Sequence, residues 1–138
     1  MKKILIPIGE YTDPTPLYQL PEIIRDFEDC EIVLFSVVTV PFTTSLDQEE
    51  IVDTEPYLRI RNKLSEVIEM FRNIGIEPVS KIVSSRNVPE AILEESITGE
   101  YDLIVLIKRM RHPKFISRSV SQAILSKIPR PLLILTMD

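Results

Sequence analysis

Tyr101-Asp102-Leu103-Ile104-Val105-Leu106-Ile107 runs directly into Lys108-Arg109-Met110-Arg111-His112-Pro113-Lys114, and this junction decides the fold. Leu103 to Ile107 is a short, branched apolar run, the pattern of a strand buried on both faces. The basic stretch follows with no turn residue between, so it sits at the strand's carboxyl end. Ser117 or Ser119 then caps a predicted helix with the apolar stripe Val120, Ala123, Ile124 and Ile128, and Ser119 with Gln122 fits a capping box. Pro129 and Pro131 stop that helix, and Leu132-Leu133-Ile134-Leu135 forms a last strand.

The same alternation extends back to the start of the chain. Lys3 to Ile8 reads as the first strand, and Gly9 to Pro16 as a loop in which Thr12 or Asp13 caps a helix beginning near Pro14. Leu17, Leu20, Ile24 and Phe27 follow at helical spacing, with a kink expected at Pro21. Glu31 to Val40 is the second strand, and Pro41 to Glu55 the longest loop. Tyr57, Ile60, Leu64, Val67, Ile68 and Phe71 define a long amphipathic helix closed by Gly75. Ile76 to Ser84 is the third strand. Asn87 and Glu90 open a helix that ends at Gly99. The order β-α-β-α-β-α-β-α-β, with no linker or repeat, predicts one α/β domain over 1–138. Its parallel sheet is covered on both faces by right-handed crossovers. In such doubly wound, Rossmann-like sheets, ligands bind beyond the carboxyl ends of the strands.

Composition narrows the function. The chain has 138 residues, 44% of them apolar and 27% charged, with a net charge of −5. That balance disfavours nucleic acid as a partner, but the charge is unevenly spread. Leu103 to Met137 holds seven Lys or Arg and no acid; the rest holds nine against 21 acids. A basic segment on an acidic body focuses potential on a small anion. A single cysteine, Cys30, permits no internal disulfide and points to a reducing compartment. Ile4 to Ile8 is too short for a signal peptide, and no run has the length of a membrane helix. A cytoplasmic location is expected.

Enzyme signatures are missing. His112, the only histidine, lies in the basic loop with no acid nearby in sequence. Cys30 stands between Asp29 and Glu31, whose charges raise a thiol pKa. The acids Asp47, Glu49, Glu50, Asp53 and Glu55 have neither the spacing nor the glycine of a calcium loop. With glycines only at 9, 75 and 99, there is no P-loop and no dinucleotide fingerprint. Neither catalysis nor a bound metal is expected.

Three stretches resemble the universal stress protein family: Lys3-Ile4-Leu5-Ile6-Pro7-Ile8, Glu31 to Val38, and Tyr101 to Val105 closing with Lys127-Ile128-Pro129-Arg130-Pro131-Leu132-Leu133-Ile134-Leu135. The resemblance implies five parallel strands in the order 3-2-1-4-5 and a homodimer through the last strand, Arg130 to Thr136. It also implies comparison with the ATP signature of many members, G-x-x-G-x9-G-[S/T]. Here Ile107, Met110 and Arg118 take the glycine positions, Ser119 follows, and Arg111 to Ser117 supplies seven intervening residues instead of nine. Gly9 takes the place of an adenine-contacting aspartate, while Val37 lies near the adenine-lining valine. Side chains in place of glycines fill space the phosphates need, so ATP is not expected in the family mode.

The alternative is a member that binds a phosphate-bearing ligand, ATP or another small anion, by charge in the basic loop after the fourth strand, or that hydrolyses ATP slowly there. Its candidate site is Gly9, Thr12, Val37, Lys108, Arg109, Arg111, Ser117, Arg118 and Ser119. A phosphorylation receiver domain has similar alternation, but it requires an acidic pair after the first strand, where Gly9-Glu10-Tyr11-Thr12 offers one acid. It also requires an aspartate where Ser84-Ser85-Arg86 stand.

Overall fold

The computed structural model describes residues 2–39, 54–109, 127–128 and 130–137. Its five strands are β1 (Lys3–Pro7), β2 (Glu31–Thr39), β3 (Val79–Ser85), β4 (Leu103–Arg109) and β5 (Leu132–Met137). They form one sheet in the order β3-β2-β1-β4-β5, with every pairing parallel. Pleating divides the side chains between two cores. Ile4, Ile6, Ile32, Leu34, Val105 and Leu135 face one side. Leu5, Val33, Phe35, Val37, Ile104 and Leu106 face the other.

The first core is covered by α2 (Glu55–Asn73), whose buried residues Ile60, Leu64, Val67 and Phe71 are those its spacing predicts. The helix begins two residues before Tyr57. Gly75 follows it at φ +85°, the left-handed conformation that glycine adopts without a Cβ clash. Phe71 meets Phe27 with ring centroids 6.2 Å apart. The second core is covered by α3 (Val88–Thr98), where Asn87 caps as expected: its Oδ1 accepts the Glu90 N–H at 3.1 Å. The return arm of the box differs, because the Asn87 N–H goes to Ser85 Oγ at 3.0 Å.

Two expectations fail locally. The predicted first helix is broken into a 3-10 turn at Thr15–Gln19, a single α-turn, α1 (Leu20–Ile23), and a 3-10 turn at Phe27–Asp29. Pro21 has no N–H to continue an earlier helix and instead starts α1, and Ile24 then turns extended. The third strand starts at Val79, since Pro78 withholds an N–H from the ladder ahead of it; Ile76 is nonetheless buried. Most of the expected helix over Ser119–Ile128 and most of the long loop lie outside the described residues. Ile128 itself packs against the α3-side core.

Gly99 ends α3 for a reason other than backbone freedom. Its φ is −83°, and the left-handed residue is its neighbour Glu100, at φ 56°. A Cβ at position 99 would run into the Tyr101 ring and approach the Glu95 carbonyl to 2.8 Å. Glu100 therefore carries strain that glycine would relieve, less the entropy glycine loses on folding. Glu100→Gly should raise stability by about 0.5–1 kcal/mol, read as a higher urea midpoint; a lower midpoint would refute this.

Candidate functional site

The chain winds outward from β1 through β2 to β3, then crosses back to β4 and β5, so the loops after β1 and β4 part. The backbone widens that parting. The β1–β2 ladder runs through Pro7↔Phe35 and is prolonged by the Ile8 N–H to the Phe35 carbonyl, 2.8 Å. The β1–β4 ladder stops at Leu5↔Ile104. The Lys3 carbonyl accepts the Asp102 N–H, so alternation turns Lys3, Leu5 and Pro7 toward β4. Pro7 has no N–H to give. The parting of β1 from β4 at the switch point thus begins at one residue of β1.

On the β1 flank, residues 9–12 form a tight turn. The Gly9 N–H donates to Thr12 Oγ1 at 2.8 Å, and the Thr12 N–H donates to the Gly9 carbonyl at 3.1 Å. Thr12, expected as a helix cap, closes the turn instead. Gly9 is not forced by crowding, because an added Cβ would meet only Thr12 Oγ1, at 3.5 Å. A Cβ has room there, and the chain places its acid one residue later. Glu10 accepts a hydrogen bond from Arg59 Nε of α2 at 3.2 Å, while Arg59 Nη1 lies 3.5 Å from Glu55. The hydrogen bond from the Tyr11 hydroxyl to Glu10, and then the Glu10 charge, push that phenol above its ordinary value. Hydrogen bonding to Glu10 likewise pushes the Arg59 guanidinium up, so it stays charged.

Val37 pairs in register with Val83 and is buried in the α3-side core. Beneath the β1 turn, the buried Ser36 hydroxyl donates to the Ile8 carbonyl at 2.7 Å and so ties β2 to the strand end. On the other flank, β4 carries Lys108 and Arg109 opposite Thr136 and Met137. Lys108 is half-buried. The Arg109 side chain, Arg111, Ser117, Arg118 and Ser119 lie outside the described residues, as does His112. The structure therefore brings Gly9 and Thr12 together and places Val37 and Lys108 on β2 and β4, the strands on either side of β1. Arg59 was missed in the sequence; no local signal links it to an acid 49 residues away.

Other chemistry is sparse. Among the described residues no group of three or more His, Cys, Asp or Glu is placed to hold a metal. Cys30 is buried, and its thiol donates to the Asp26 carbonyl at 3.6 Å. Burial, more than the neighbouring acids, pushes this thiol up. A shallow concavity of about 290 Å³ along α3 is lined by Glu90, Leu93, Glu94, Ile97 and Thr98, none of them a candidate site residue. No helix among the described residues is long and apolar enough to cross a membrane.

The sequence model of the universal stress protein family matches residues 1–136, and the chain belongs to this family. No curated protein matches it. Among solved structures, a universal stress protein from Archaeoglobus fulgidus is 16% identical with a TM-score of 0.72, covering 98% of each chain. The Archaeoglobus fulgidus protein in complex with dAMP is 14% identical with a TM-score of 0.69, again over 98% of each chain. A family member from Arabidopsis thaliana with AMP bound is 15% identical with a TM-score of 0.72, covering 100% of this chain and 93% of that one. At these identities the likeness establishes the fold, and the strand order is the one the resemblance implies.

Proposed function

We propose that this protein is a non-catalytic, cytoplasmic stress-response module that acts as a homodimer through β5 and does not take ATP in the usual family mode. The observation that carries this reading is the end of β1. The position of the family's aspartate is Gly9, its N–H is spent inside the turn, and the next residue's carboxylate, Glu10, is paired with Arg59. A base entering there finds no free carboxylate. Calorimetry with Mg-ATP should give no dissociation constant tighter than micromolar, and incubation should give no turnover. A sub-micromolar constant would overturn the reading. A ligand at 100 times its dissociation constant stabilises by about 2.7 kcal/mol, so a thermal-shift screen would also expose it.

A second reading, favoured by the basic run Lys108 to Arg118, is a small phosphate-bearing ligand held where β1 and β4 part. Charge and forked hydrogen bonds from Arg109 and Arg118 would hold it in place of glycine backbone contacts. Relatives with AMP or dAMP bound give that reading its ligand class.

A further inference from the structure

We draw no further inference here: the strongest candidate, the shallow concavity along α3 where Leu93 and Ile97 lie beside Glu90, Glu94 and Thr98, is a partly apolar helix face, and nothing among the described residues shows what covers it.

Discussion

Tyr101→Ala should lower the unfolding free energy by about 3–5 kcal/mol, the range for deleting a large buried ring. Tyr101 is 2% exposed, at the amino end of β4 where four elements meet. Its hydroxyl donates to Glu95 Oε2 of α3 at 2.7 Å, and Glu95 Oε1 takes the Lys81 ammonium of β3 at 2.8 Å. The Lys3 ammonium of β1 lies 4.8 Å from the ring centroid and donates to the Gly99 carbonyl at 2.9 Å. Removing the ring opens a cavity, takes a partner from a nearly buried carboxylate, and strips Lys3 of its aromatic face. For 138 residues, the melting temperature should fall by roughly 10–15 °C. A loss under about 1 kcal/mol by urea denaturation would mean the site collapses around the gap, against this account.

Tyr101→Phe separates the ring from its hydroxyl and should cost about 1–3 kcal/mol, the scale of a hydrogen bond to a charged group. It also has a pH signature. Burial first, then the hydrogen bond and charge of Glu95, raise the Tyr101 pKa in the folded chain. A phenol raised in this way contributes stability that is complete below its unfolded pKa of about 10 and is lost as pH rises above that. The phenylalanine variant should lack this part of the alkaline loss. Equal slopes above pH 10 in the two proteins would exclude Tyr101 as its source.

This end of the molecule also marks what the sequence could convey. The strands were legible because two-sided burial demands unbroken branched apolar runs, and four of the five need no more than that. The spacing of Leu17, Leu20, Ile24 and Phe27 correctly picked out buried side chains, since all four are in the core. It misjudged the backbone that delivers them, because the prolines at 14, 16 and 21 allow turns with the same contact face. Gly99 was legible as a helix end, but the reason was not: it is excluded volume from Tyr101 that requires glycine there. The site divides similarly. Gly9 and the basic run were visible as departures from a motif. The pairing of Glu10 with Arg59 is long-range and between exposed side chains, so neither periodicity nor composition points to it.

Ile134→Pro should dissociate the proposed homodimer while leaving the sheet folded. β5 is an edge of the sheet, and the Ile104 N–H donates to the Pro131 carbonyl at 3.0 Å. Alternation then turns the backbone groups of residues 131, 133 and 135 toward β4, and those of Leu132, Ile134 and Thr136 away from it. An antiparallel pairing of two copies would use that outward row and close it by two-fold symmetry. The side chains are poorer targets. Leu135 is buried and Leu132 and Leu133 pack against the two cores, so a charge placed on any of them would damage the fold as well as an interface. Proline at 134 removes an outward donor only, which an edge strand tolerates. By symmetry each dimer loses the bond twice and leaves two carbonyls unpaired, so the dissociation constant should rise about a hundredfold or more. Light scattering should give twice the chain mass for the wild type, unchanged in high salt because the pairing is between uncharged backbone groups, and one chain mass for the variant. Leu133→Pro, which removes an inward donor, should instead cost the β4–β5 ladder and the fold. A monomeric wild type, or an Ile134→Pro protein as dimeric as its parent, would place the interface elsewhere or nowhere.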